Sequence, residues 1–350
     1  MTALRVALIG CGDISTQHLQ AITANPDAEL IAVCDVDQER LTMTARRLDC
    51  AGHTDFERML DMERPDLVHI CTPHHLHAQM AMAALRRDVH VLLEKPVATT
   101  VADGEAVARA ARAGAAMVGV CYQNRYNNTS KALRDLIDGG TLGRLRGGRA
   151  SVNWFRDNEY YRRRPWRGSW ETGGGGVLIN QSIHTLDLLQ WFLGEVTEMR
   201  GQAARLALAD PVEVEDTAAI QLRHAGGAVS IFNASNGYAD DAPVMLELLA
   251  DNATVRLEGD LVVSFVDGTS KVVNEVAAGT GAKAYWGRSH ALLIDDFYRH
   301  VQRGQPFWID AAEALKTLRI VTGVYRQSGF PVQENVAHPN HDGELDRALQ

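Results

Sequence analysis

The chain has 350 residues, too many for one ordinary hydrophobic core, so two domains are expected. Its 35 basic and 44 acidic side chains leave a formal net charge of −9, which argues against a nucleic-acid surface, since phosphate contacts need a basic face. No apolar run reaches the roughly 18 residues that span a bilayer, and 46% apolar with 23% charged residues is the balance of a folded soluble protein.

The chain opens with "LRVALIG", a strand; without a basic leader or a long apolar core it does not read as a signal peptide. Helix-like and strand-like runs then alternate: "STQHLQAITAN", "AELIAVCD", "QERLTMTARRL", "DLVHICT", "HAQMAMAALRR", "VHVLLEK", "GEAVARAARAG" and "AMVGVCYQ". Continuous apolar strands separated by helices predict a parallel sheet of five or six strands covered on both faces, over residues 1–123. Beyond it "SKALRDLIDGG" reads as a helix ended by glycine, and a glycine-led helix runs through Leu193. Strand-like runs joined by turns such as "HAGGA" and "ADNAT" follow. They predict an antiparallel, open sheet of about six strands in an α+β domain over 124–337, finished by helices near 289–303 and 310–327. Residues 338–350 form a polar tail. The five cysteines lack any Cys-x-x-Cys pair and read as reduced, mostly buried thiols of a cytoplasmic protein.

"GCGDIS" follows the first strand and opens a helix. Gly10 permits the tight turn, Gly12 lets the backbone approach a pyrophosphate at the helix N-terminus, and Ser15 replaces the third small residue of a dinucleotide fingerprint. Asp35, at the end of the second strand, would accept hydrogen bonds from the adenosine ribose hydroxyls and repel a 2′-phosphate, which favours NAD over NADP. "LLEKP" ends a long strand, so Glu94, Lys95 and Pro96 lie at the carboxyl edge where ligands bind such sheets. In "GGGGVLINQSIH", Gly173–Gly176 would let a flat polar ligand lie against the backbone. Asn180, His184 and Asp187 would follow on one helix face. The histidines of "HHLH" at 74–77 are adjacent and do not converge, so no metal site is expected. In "YYRRRPWRGSW" arginine and tryptophan alternate; Trp166 and Arg167 suit a sugar's C–H face and hydroxyls, and an oligomer contact suits them nearly as well.

These segments, with "CDVD" at 34–37, "CTPHHLHAQMAMAAL" at 71–85 and "YQNRYN" at 122–127, resemble the sugar and inositol dehydrogenases typified by glucose–fructose oxidoreductase and myo-inositol dehydrogenase. The resemblance implies an N-terminal α/β Rossmann domain and a C-terminal α+β domain with an open-faced, mainly antiparallel sheet, the active site between them. It implies that Gly10, Gly12, Asp13, Ile14, Asp35, Thr72, Pro73, His77, Glu94, Lys95 and Arg125 hold the cofactor. It implies that Lys95, Asn124, Trp166, Arg167, Asn180 and His184 meet the substrate, and that the Lys95–Pro96 bond is cis. Most members carry Asp where this chain has Asn180, which cannot take a proton.

The expectation is an NAD-dependent dehydrogenase of a secondary alcohol on a sugar, sugar derivative or cyclitol. His184 would be the acid/base, Lys95 the stabiliser of alkoxide charge, Asn180 the holder of a neighbouring hydroxyl, and Asp187 placed to orient the imidazole. Lys95 as proton carrier is the alternative. Rival readings are a reductase of nucleotide-linked sugars, an enzyme with tightly held cofactor acting on two sugars, and a non-catalytic NAD-bound sensor. A homodimer or homotetramer built through the second-domain sheet is expected.

Overall fold

The protein is described from a computed structural model, in which residues 3–275 and 289–332 are described. The polar tail expected at 338–350 lies outside them. The first domain winds as β1 (Leu4–Ile9), α1 (Ser15–Ala24), β2 (Ala28–Cys34), α2 (Gln38–Leu48), β3 (Ala51–His53), α3 (Phe56–Glu63), β4 (Leu67–Ile70), α4 (His77–Leu85), β5 (His90–Leu93), α5 (Val101–Ala113) and β6 (Val118–Val120). Its six strands lie in the order β3-β2-β1-β4-β5-β6, all parallel. The β4 and β6 side chains are buried throughout, as a sheet with both faces covered requires. Asp37, Asp55 and Thr100 cap α2, α3 and α5 with their side chains. Helix α1 has no side-chain cap, so its first N–H groups are left for a ligand. The short β3 has no apolar run, and for that reason sequence pattern passed over it.

The second domain adds α6 (Asn128–Asp138), β7 (Leu145–Asn153), α7 (Asn158–Arg163), α8 (Trp170–Gly173), α9 (Ile183–Leu193), β8 (Val196–Ala204), β9 (Thr217–His224), β10 (Val229–Ser235), β11 (Met245–Ala250), β12 (Ala253–Glu258), β13 (Asp260–Phe265) and β14 (Ser270–Val273). Its sheet has eight strands, not six, in the order β14-β13-β12-β11-β7-β10-β9-β8. It is antiparallel except where β10 runs parallel to β7. Strict alternation in β9, β10 and β12 buries one face. The other face is open. It carries exposed Val229, Ile231, Leu249, Val262 and Val272 among ion-paired Arg149, Glu247, Arg256 and Glu258. The last helices, α10 (Ser289–Arg303) and α11 (Ala311–Gln327), return to the first domain. Helix α10 packs on α1 and β5, and α11 packs on α5 as well as on β8 and α9, so the C-terminal helices brace both domains.

Candidate active site

A cavity of about 960 Å³ opens at the carboxyl ends of β1, β2, β4 and β5, where the strand order reverses. Gly10, Gly12, Asp13, Ile14 and Asp35 line one end. Gly10 has φ of +92°, and a Cβ there would sit 2.7 Å from the Cys71 carbonyl oxygen, so only glycine makes this turn. A Cβ on Gly12 would meet nothing within 4 Å; the space beside it belongs to the cavity. Asp35 accepts from the Cys11 and Asp37 N–H groups at 2.8 and 2.9 Å, which fixes its carboxylate at the rim. Arg40 lies 3.4 Å from it, a cation the sequence spacing did not suggest. An open glycine turn, uncapped helical N–H groups and a fixed carboxylate together fit a dinucleotide.

Thr72, Pro73, Glu94 and Lys95 line the middle of the cavity, and the Lys95–Pro96 bond is cis, as expected. The Lys95 ammonium donates to the Asn180 carbonyl oxygen at 2.8 Å, across from the second domain. Burial pulls the amine down from 10.5 to about 8; Glu94 opposes this and Arg167 adds to it. His184 is held well below its ordinary range by burial and by the Lys95 charge, so its imidazole is neutral. Its Nε2 lies 3.4 Å from the Gln123 amide nitrogen, and its Nδ1 has no hydrogen-bond partner among the described residues. The Asn180 amide nitrogen is likewise buried and unpaired. Buried polar atoms left unpaired cost stability, and here they converge on a cavity that a polar ligand would fill.

The segment bearing Asn180 is not the single α-helix expected. Val177–Gln181 form one π turn, and α9 starts only at Ile183, so Asn180, His184 and Asp187 do not share one regular face. The glycines before it do not admit a ligand either. A Cβ on Gly174 would meet Thr99, one on Gly175 would collide with the Tyr325 hydroxyl, and one on Gly176 with the Glu215 carbonyl. They let the chain pass against protein. Buried Glu215 accepts from the Gly176 and Leu178 N–H groups at 2.7 and 2.9 Å and from the Tyr325 hydroxyl at 2.8 Å, which pins the π turn. Burial raises Glu215 to about 7 against the pull of those bonds.

Three further expectations are corrected. Arg125 does not reach the cofactor site: it is 1% exposed, paired bidentately with Asp187 at 2.7 and 2.8 Å and with Glu313 at 3.0 Å. That commits Asp187 to Arg125 and to the Thr317 hydroxyl, so it does not orient His184. His77 is fully buried and bridges the Pro96 and Thr72 carbonyls at 2.7 and 2.9 Å. It braces the loop that carries Lys95 rather than touching a ligand. His74 and His75 reach the Gly173 and Thr172 carbonyls at 2.8 and 3.2 Å and so tie the two domains.

Behind Lys95 lies a buried polar chain that sequence alone did not reveal. Glu94, His18, His69 and Tyr298 link in series at 2.9, 2.7 and 2.8 Å. Burial would raise the Glu94 carboxyl, but the bonds from His18 and His290 more than reverse this and keep it ionised. Burial keeps both imidazoles neutral. One set of tautomers then satisfies the chain: His18 Nε2–H donates to Glu94, His69 Nδ1–H donates to His18 Nδ1, and the Tyr298 hydroxyl donates to His69 Nε2. The donor atoms of His18, Glu94 and Cys121 lie within 4.8 Å of one another, the one grouping of metal-ligand type among the described residues.

The second-domain rim supplies Asn124, Trp166, Arg167, Asn180 and His184, all of which line the cavity. It also supplies Gln123, Trp154, Arg156 and Tyr160. Arg164 and Arg167 reach Asp13 at 2.9 and 3.6 Å and close the rim onto the glycine turn.

Residues 4–122 match the family model described as an oxidoreductase family with NAD-binding Rossmann fold, and residues 130–256 match the GFO/IDH/MocA C-terminal domain. The chain is 28% identical over 334 residues to D-apiose dehydrogenase of Paraburkholderia graminis, covering 91% of this chain and 86% of the relative. It is 23% identical over 313 residues to myo-inositol 2-dehydrogenase of Thermotoga maritima, covering 87% and 90%. Among solved structures, the WlbA dehydrogenase of Bordetella pertussis in complex with NADH and UDP-GlcNAcA superposes with a TM-score of 0.81 at 29% identity, over 93% of this chain and 97% of that one.

Proposed function

Because the chain belongs to the GFO/IDH/MocA family of NAD-binding oxidoreductases, we propose that it dehydrogenates a secondary hydroxyl of a sugar, sugar derivative or cyclitol, with Lys95 carrying the proton. Relatives named for apiose and inositol support the substrate class. The glycine turn, the N-terminus of α1 and Asp35 would hold NAD, which supplies the hydride acceptor when bound.

The observation that carries the reading is Lys95 itself. It is a half-buried amine at the carboxyl edge of β5, tethered to the Asn180 carbonyl, with its ordinary 10.5 brought to about 8. A base poised near the working pH is what acid–base catalysis requires. Among the described residues no carboxylate hydrogen-bonds His184, and burial with the Lys95 charge holds it neutral. We therefore exchange the two roles: Lys95 accepts the hydroxyl proton, and neutral His184 hydrogen-bonds the reacting oxygen. The unpaired Asn180 amide holds a neighbouring hydroxyl. Oxidation of a panel of sugars and cyclitols, followed as NADH absorbance, tests the proposal; wild-type turnover that Lys95→Ala leaves intact would overturn it.

We further place the protein in the cytoplasm, where its five free thiols stay reduced. The open face of the second sheet would pair with another copy to give a homodimer or homotetramer. Among the described residues no helix is long and apolar enough to cross a membrane.

A further inference from the structure

The rim of the cleft is built in layers. The Arg156 guanidinium lies over the Trp154 ring at 5.0 Å and over Tyr160 at 5.4 Å. Arg167 lies over the other neighbour of the stack, 4.8 Å from Tyr160 and 5.4 Å from Trp166. Trp166 in turn meets His74 of the first domain edge-on at 4.8 Å. The order Trp154, Arg156, Tyr160, Arg167, Trp166 is thus a continuous ladder of alternating cations and rings, and all five members line the cavity.

Stacking fixes a guanidinium by its faces and leaves its N–H edge for a partner. Part of that edge is already used: Arg156 donates to the Asp241 carboxylate at 2.7 Å and to the Phe155 carbonyl, and Arg167 stands 3.6 Å from Asp13. Arg167 Nε, although buried, has no hydrogen-bond partner among the described residues. The charge balance points the same way. In a chain of net charge −9, the cavity lining holds six Lys and Arg side chains against three carboxylates, and setting aside Arg40 beside Asp35 and the base Lys95 leaves Arg156, Arg163, Arg164 and Arg167 at the rim. A neutral polyol needs hydrogen bonds, but not two guanidinium planes held rigid in a partly closed cavity. A planar or tetrahedral oxyanion does, since it takes two parallel N–H donors.

We propose that the Arg156–Arg167 ladder is a subsite for an oxyanion carried by the sugar, a carboxylate or a phosphoryl group, so that the enzyme prefers acidic or phosphorylated sugars. This rests on the sugar-dehydrogenase reading above and specifies its substrate.

The test uses the full-length, NAD-loaded protein and a matched set: glucose, glucuronate, glucose 6-phosphate and UDP-glucose. NADH formation is measured at 50 and 300 mM NaCl, and binding is measured by calorimetry in parallel. The expected result is a kcat/KM at least 10-fold higher for an anionic member than for glucose, with an advantage that shrinks at high salt. Whether the carboxylate or the phosphoryl compounds gain identifies the anion. Arg156→Gln and Arg167→Gln should each cut that advantage about 10-fold, mainly through KM, and Arg167→Lys should recover only part of it. Equal turnover of neutral and anionic sugars overturns the subsite and leaves the dehydrogenase reading standing. So does a rise in KM for NAD that is the same for every sugar, which would assign the ladder to the cofactor. Arg156-dependent binding of anionic sugars without turnover supports the subsite and overturns the dehydrogenase reading. Absence of both binding and turnover for the whole set overturns both.

Discussion

Replacing Lys95 by Met should make the protein more stable at pH 7. Folding moves the Lys95 amine from 10.5 down to about 8, so the native state favours the uncharged form. The stability this group contributes is full above pH 10.5 and is lost as pH falls through 8. At pH 7 the fold therefore bears nearly the whole penalty, about 3 kcal/mol at 1.36 kcal/mol per pH unit. The side chain is partly open to the cleft, so this is an upper bound. Methionine keeps the unbranched shape and removes the charge, and it also loses the bond to the Asn180 carbonyl, worth about 1 kcal/mol. The net gain is then at most about 2 kcal/mol. With about 2.1 cal/mol/K of unfolding entropy per residue, a cooperative transition of the whole chain should rise by up to about 3 °C. By pH 9.5 only about 1 kcal/mol of the penalty remains, and the gap between the two melting curves should nearly close. Fluorescence-monitored melts of both proteins at pH 7 and 9.5 decide it. A Lys95→Met protein that melts below the wild type at pH 7, or a gap that does not change with pH, refutes the argument.

Other expectations concern the surroundings of that amine. Lys95→Ala should lower turnover by about 10²–10⁴-fold with NAD binding unchanged in calorimetry, and His184→Ala by about 10²–10³-fold, as for loss of a donor to the developing oxyanion. Asn180→Asp places a carboxylate beside Lys95 and His184, so the pH–rate limb should move to higher pH; a fixed limb would detach Asn180 from the site. The tautomers assigned behind Glu94 predict, in nitrogen NMR, an N–H on Nε2 of His18 and on Nδ1 of His69, and the reverse pair would show Glu94 to be protonated. Gly176→Ala, whose Cβ would collide with the unyielding Glu215 carbonyl, should cost about 1–3 kcal/mol and displace the π turn that presents Asn180; unchanged melting and turnover would contradict that packing.

The first domain was legible because its signals are local. Apolar strands, capped helices and "GCGDIS" each announce themselves within a dozen residues, and Gly10, Gly12, Asp35 and Lys95 fall where the spacing put them. The second domain's strands were legible by alternation, but the parallel contact of β10 with β7 was not, because register between distant strands leaves no mark in either one. The glycine quartet misled for a related reason. Sequence shows that backbone must come close to something, and only tertiary structure shows that Glu215 and Tyr325, 39 and more residues away, are what it meets. Arg125 and Asp187 each looked exposed to ligand for want of knowledge of the other. The Glu94, His18, His69 and Tyr298 chain joins α1, β4, α10 and the residue after β5, and has no sequence signature at all.

On this mechanism Lys95, not His184, carries the proton. The most direct test is the pH dependence of hydride transfer in single-turnover oxidation of the best sugar, for the wild type and for His184→Ala. If Lys95 is the base, the wild type shows a limb near pH 8, where rate rises as the amine loses its proton, and His184→Ala shows the same limb at reduced amplitude. A wild-type limb in the ordinary imidazole range that vanishes with His184 would contradict it.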